Sequence, residues 1–227
     1  MCGRYSLFVQ PGDIEERFDA TFSFAFEPRY NAAPGQSLPV IAGDAPGSIQ
    51  PMQWGFVPRW ADDAADAHIN ARAETVAEKP AFAEAYERRR CLVLADGFYE
   101  WSKTEDGQPY RVTLSTGEPF AMAGVWERWT PDTLQTGLGD FAGDEPTGEA
   151  DPIETFAIVT TEPNAVVEPH HDRMAVVLSP SEEAAWLEGE DVPLDPYPAE
   201  EMDAYPISRA VNDPANDSPE IVQPLEG

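Results

Sequence analysis

Lysine is nearly missing from this chain. Of 227 residues only Lys79 and Lys103 are lysines, and the 14 basic residues face 42 Asp and Glu, for a formal net charge of −28. On charge alone, a nucleic acid held by the protein's overall field is a poor expectation for a partner. No run of 18 apolar residues occurs, which argues against a membrane span. The start, Met1-Cys2-Gly3-Arg4-Tyr5, lacks the basic segment and apolar stretch of a signal peptide. Two cysteines, Cys2 and Cys91, cannot make a disulfide framework, and neither CxxC nor HExxH appears, so no metal and no cofactor is expected. These absences point to a soluble, cytoplasmic protein.

What is present supports a folded core. Hydrophobic residues make up 42% of the chain and aromatics 11%, which a disordered acidic protein would not have. The length suits one domain, 1–227. The acidity is spread along the chain rather than gathered in a tail. Diffuse Asp and Glu with almost no Lys fits a high-salt cytosol, where salt screens self-repulsion.

Apolar residues four apart predict a helix over Pro11 to Phe18, and a second over Ala81 to Arg90 closes on three arginines that suit a helix C-terminus. Ser179-Pro180-Ser181-Glu182 is a capping box opening a third helix through Trp186 and Leu187. Strand-like runs cover Cys91 to Ala95, Tyr110 to Leu114, Phe120 to Trp129, Thr155 to Thr161, Ala175 to Leu178 and a last short one, Glu220 to Gln223. Strands and helices do not alternate, so a compact α+β domain is expected rather than a doubly wound parallel sheet. Thr130 to Asp151, rich in Gly, Asp, Glu, Pro and Thr, reads as an acidic surface insertion loop.

Cys2 carries the most specific chemistry. Initiator methionine is removed when the next residue is small, which leaves an α-amine and a thiol on one residue. An α-amine has a pKa near 7.7–8.0, against about 10.4 for lysine, so much of it is neutral and able to condense with an aldehyde. The thiol can then close on the same carbon, giving a five-membered thiazolidine without a metal. Glu100, in Asp96-Gly97-Phe98-Tyr99-Glu100-Trp101, sits at the end of an apolar strand among aromatics, where desolvation should raise its pKa toward that of a general acid. His171, in His170-His171-Asp172-Arg173-Met174, is a candidate for proton transfer. Asn70 offers an amide beside Arg72. Arg4, Arg59, Arg72, Arg173 and Arg209 lie beside aromatic, small or turn residues, where guanidinium forks could meet phosphates. Trp54 and Trp60, interleaved with Gly, Pro and Arg, could stack on unpaired bases, although a core role is the commoner one for at least one of them.

Met1-Cys2-Gly3-Arg4-Tyr5, Arg29-Tyr30-Asn31-Ala32-Ala33-Pro34, Trp54-Gly55-Phe56-Val57-Pro58, Asn70-Ala71-Arg72-Ala73-Glu74-Thr75, Asp96 to Trp101, His171-Asp172-Arg173-Met174 and Ser208-Arg209-Ala210-Val211, in this order, resemble the SRAP family. These are the SOS-response-associated peptidase or abasic-site processing proteins. The resemblance implies a mainly antiparallel, barrel-like sheet with a few flanking helices. It implies a monomer, nucleoid-associated during damage, that binds single-stranded DNA at abasic sites and crosslinks to them through Cys2. Asn70 would orient the N-terminal residue, Glu100 would move a proton during ring opening and His171 would assist at the sugar. Arg4, Arg72, Arg173 and Arg209 would hold DNA, with Trp54 and Trp60 along its path. The peptidase label would concern removal of the residue ahead of Cys2. Two departures are Ala175, where the family has Pro, and the long acidic insertion. A cysteine peptidase and a plain single-strand binding module are the competing readings.

Overall fold

The computed structural model describes residues 2–104, 106–131 and 151–225. The strands are β1 (Tyr5–Leu7), β2 (Thr21–Phe22), β3 (Arg29–Ala32), β4 (Ser37–Ala42), β5 (Ser48–Trp54), β6 (Asn70–Arg72) and β7 (Arg90–Ala95). They continue as β8 (Gly97–Trp101), β9 (Pro109–Leu114), β10 (Phe120–Trp129), β11 (Ile153–Thr161), β12 (Met174–Ala175), β13 (Val177–Leu178) and β14 (Met202–Pro206). Three α-helices accompany them among the described residues: α1 (Pro11–Phe18), α2 (Ala83–Arg88) and α3 (Pro180–Leu187).

The expected α+β domain with a barrel-like sheet is what forms. Antiparallel pairing runs β11–β10–β7–β4–β5, and a parallel contact of β5 with β11, Trp54 opposite Phe156, closes the ring. Alternation along the strands separates two faces. Leu38, Val40, Met52, Trp54, Val93, Met122, Phe156 and Ile158 share the interior cluster. Ile41, Ile49, Leu92, Leu94, Ala121, Ala123 and Val159 point outward, packed with Ile14 of α1 and Trp186 of α3. A second, antiparallel sheet, β14–β9–β8–β1–β3, lies across one side and brings the N-terminus to the barrel.

The helix predicted over Ala81 to Arg90 is shorter, because Arg90 opens β7 and its guanidinium bonds the carbonyls of Tyr86 and Glu190. The run Ala175 to Leu178 divides at Val176, one half pairing with β11 and the other with β10. The strand predicted over Glu220 to Gln223 is instead a 3₁₀ turn, Pro219–Val222. Proline in its first turn fixes a helical φ, and Ile221 and Val222 are both buried, which a one-sided strand would not achieve. The insertion expected from Thr130 to Asp151 lies, apart from its ends, outside the described residues.

Candidate active site

Cys2 is fully buried and joins the barrel's interior cluster with Tyr5, Trp54 and Phe98. Burial pushes its thiol well above the ordinary cysteine range, and the nearby charge of Glu100 adds to this. Asn70 opens β6, which lies parallel to β11 with Asn70 opposite Ile158. Its Nδ2 donates to the Cys2 carbonyl oxygen at 3.0 Å, while its Oδ1 is buried without a hydrogen-bond partner among the described residues.

Glu100 does not end the apolar strand that precedes it. That strand, β7, stops at Ala95, and the chain turns at Asp96 into β8 of the second sheet. The Asp96 carboxylate accepts from the Ser6 hydroxyl and the Phe8 N–H, each at 2.6 Å, and from Arg111 Nη2 at 2.8 Å. Gly97 is required there: a Cβ would stand 2.8 Å from the Arg111 guanidinium. The corner carries Glu100 across to the N-terminal segment, where Tyr99 N–H donates to the Arg4 carbonyl at 3.0 Å. Glu100 is 1% exposed, and its Oε1 has no hydrogen-bond partner among the described residues. Burial raises its pKa to about 8, so the group is a neutral acid at pH 7.

His171 is half-buried on the loop before β12, and its Nδ1 accepts the Arg173 backbone N–H at 2.9 Å. Burial first, and then the positive charge of the chain's amino terminus, lower its pKa from the usual imidazole value. A neutral ring able to take a proton results. Cys2, Asn70, Glu100 and His171, predicted from four separate segments, are thus linked around the start of the chain: Asn70 bonds Cys2, Glu100 acts on its thiol and the amino-terminal charge acts on His171.

The expected DNA contacts divide. Trp60 is 63% exposed on a loop that Trp129 anchors by donating to the Ala61 carbonyl at 2.8 Å. Trp54 is fully enclosed, stacked on Phe156 at 6.2 Å, with its indole N–H donated to the Ile69 carbonyl at 2.9 Å. A ring without an open face cannot stack on a base, so Trp54 supports the backbone just before Asn70 instead. Arg72 is exposed and makes no salt bridge among the described residues. Arg173 is spent within the protein: its guanidinium forks onto both carboxylate oxygens of Glu74 and bonds the Thr160 carbonyl. Arg4 Nη1 is likewise committed, to Asn31 Oδ1 at 2.7 Å and the Val211 carbonyl at 2.8 Å, which pins the N-terminal segment from below. Arg209 is half exposed, 3.8 Å from Asp106, and Arg59 pairs with Glu84 at 3.2 Å.

Two residues near the site were not predicted. Lys103 reaches from the β8–β9 hairpin to the His171 loop, donating to the Glu168 carbonyl at 3.0 Å and pairing with Asp172. Its rarity was the available signal, since the chain has one other lysine. Tyr5 carries a buried hydroxyl without a hydrogen-bond partner among the described residues, and its pKa is raised by burial and by the Cys2 and Cys91 thiols. Among the described residues no group of three His, Cys, Asp or Glu side chains could hold a metal, and no helix is long and apolar enough to cross a membrane.

Comparison with known proteins gives a consistent picture. The family model described as SOS response associated peptidase (SRAP) matches residues 1–214. The chain is 36% identical over 238 residues to the abasic site processing protein YoqW of Bacillus subtilis, covering 98% of this chain and 99% of that protein. It is 30% identical to the abasic site processing protein YedK of Escherichia coli, covering 99% of this chain and all of the other. Similarity extends to the abasic site processing protein HMCES of Xenopus tropicalis, 27% identical over 98% of this chain and 78% of the relative. Among solved structures, a protein from Bacteroides thetaiotaomicron superposes with a TM-score of 0.83 at 26% identity, covering 99% of this chain and all of that one.

Proposed function

We propose that this chain, which belongs to the SOS response associated peptidase (SRAP) family, binds single-stranded DNA at abasic sites and bonds covalently to the open-chain sugar through a mature N-terminal Cys2. The observation that carries this reading is the convergence on Cys2 of an amide that holds its carbonyl and a buried acid that is protonated at pH 7.

The chemistry follows from those groups. With Met1 removed, the Cys2 amine adds to the C1′ aldehyde to give a carbinolamine. Glu100 gives its proton to the departing hydroxyl, so that water and an imine form, and it regains the proton lost from nitrogen. The Cys2 sulfur then adds to the imine carbon while the thiol proton passes to the imine nitrogen. The net reaction is aldehyde plus aminothiol giving thiazolidine plus water. Glu100 can also shuttle the proton from the C1′ hydroxyl to the ring oxygen as the sugar opens, and His171, as a neutral base, can assist at the same sugar. Asn70 fixes the direction of attack by holding the Cys2 carbonyl.

Burial of the thiol favours this order of events over cysteine-peptidase chemistry. A peptidase needs a thiolate at the outset, whereas the high thiol pKa keeps Cys2 as SH until the amine has already captured the aldehyde. The test is incubation with an abasic oligonucleotide, followed by denaturing electrophoresis and intact mass. Cys2→Ala and an alanine inserted between Met1 and Cys2 should both abolish the stable adduct. Cys2→Ser should leave an imine that borohydride traps. Full crosslinking by the insertion variant would defeat the mechanism, because an internal thiol has no amine with which to close the ring.

A further inference from the structure

Glu100 and His171 both feel the charge of the amino terminus, one from β8 and the other from the loop before β12. Something must set the distance between them. Contacts among the described residues join these elements. Tyr110, directly opposite Glu100 on β9, stacks on His170 with ring centroids 4.1 Å apart. A further contact is made by Lys103, just past Glu100: its backbone N–H donates to the Pro169 carbonyl at 3.4 Å, its Nζ donates to the Glu168 carbonyl at 3.0 Å, and its ammonium pairs with Asp172. One side chain therefore grips the loop on both sides of His170 and His171.

We propose that Lys103 is a positioning residue, a strap that holds the Glu100 hairpin against the His171 loop and fixes the two proton-transferring groups relative to each other. The proposal rests on the functional reading above. The choice of residue fits the task. An ammonium is a compact charge with three rotatable donors, able to serve a carbonyl and a carboxylate in different directions, where a planar guanidinium would favour a fork on one partner. Its charge also acts at a distance. It lowers the pKa of Glu100, alongside the amino-terminal charge and against the larger effect of burial. It lowers that of His171 alongside burial and the amino terminus, while Asp172 and the Arg173 backbone N–H act in the opposite sense. Removing Lys103 should therefore move both groups upward.

The experiment compares parent, Lys103→Met, Lys103→Arg and Asp172→Asn in two measurements. One is the rate of adduct formation on an abasic oligonucleotide; the other is the His171 imidazole titration followed by NMR without DNA. Lys103→Met should slow the adduct roughly tenfold to a hundredfold, the scale of a misplaced reacting group. It should change binding of intact single strands by less than about threefold, since the residue is not placed among the DNA contacts, and it should raise the His171 midpoint. Lys103→Arg should restore the midpoint more fully than the rate, and Asp172→Asn should loosen the strap while keeping the cation. A Lys103→Met protein with parental rate, or with an unmoved His171 midpoint, overturns the proposal. If the parent forms no adduct at all, the functional reading falls, and the NMR comparison still decides whether Lys103 acts on His171.

Discussion

The Asn70 amide donates to the carbonyl of Cys2 at 3.0 Å, joining two residues 68 positions apart. The contact matters because of what stands behind it. Asn70 is fixed by β6 against β11, and Trp54 secures the carbonyl of Ile69 beside it. Cys2, at the start of the chain where order is ordinarily least, is thereby tied to the barrel wall. We expect Asn70→Ala to slow adduct formation by about tenfold to a hundredfold. Asn70→Asp should do so more severely, since a carboxylate not only fails to donate to the Cys2 carbonyl but also repels its oxygen. Single-turnover rates at saturating oligonucleotide provide the check, and a parental rate in Asn70→Ala would show that the contact only supports the fold.

Glu100 links activity to stability through its titration. Its folded pKa of about 8 lies above the ordinary value of 4.5, so the folded state binds the proton more tightly than the unfolded chain does. Stability is therefore complete below the unfolded value and is lost as pH rises toward 8, by up to several kcal/mol. Glu100→Gln removes this dependence and should be more stable than the parent at pH 9 in urea unfolding. The same substitution should slow adduct formation by roughly ten- to a thousandfold, with intact single strands bound nearly as before. A parental pH–stability curve in Glu100→Gln would mean that the buried acid is not the group titrating.

Trp54 and Trp60 separate packing from recognition within one short sequence block. Trp54→Ala opens a cavity in the barrel and should cost about 3–5 kcal/mol, lowering the melting temperature with or without DNA. Trp60→Ala removes only an exposed ring. It should leave the melting temperature nearly unchanged and weaken binding of single strands by roughly five- to a hundredfold, the value of one lost base stack. Equal binding by Trp60→Ala and parent in fluorescence anisotropy would dismiss the stacking role.

The same pair shows what could be read before any coordinates. Residues whose chemistry is intrinsic, such as the amine and thiol of Cys2 and the desolvated acid Glu100, were legible from type and neighbours. The helices over Pro11 to Phe18 and from Pro180 were legible as well, because caps and spacing are local. What escaped depends on long-range pairing. The parallel closure of β5 on β11 enclosed Trp54, and the Asp96 corner moved Glu100 into a second sheet. Arg173 pairs with Glu74, 99 residues away, and nothing local to either residue marks the pair. A charge in a sequence carries no mark of whether it is already paired.

The net charge of −28 stands against a polyanionic substrate, and salt decides how the two coexist. Arg173 and Arg4 are bonded within the protein, and Arg72 and Arg209 are the more exposed of the proposed DNA-contacting arginines. Two neutralised phosphates give a salt slope of about −1.4 for single strands, so equilibrium affinity should fall roughly twenty-five-fold for each tenfold rise in salt. A covalent adduct has no such dependence and should persist at molar KCl. The fold should respond in the opposite direction. At about 0.01 M the Debye length is near 30 Å and carboxylates across the surface repel one another; at 1 M it is about 3 Å and only contacts survive. If screening contributes about 2 kcal/mol, the melting temperature should rise by roughly 4–8 °C between those limits for a domain of this size. Calorimetry across a KCl series measures this directly, and a melting temperature that stays level or falls with added salt would rule out adaptation to a high-salt cytosol.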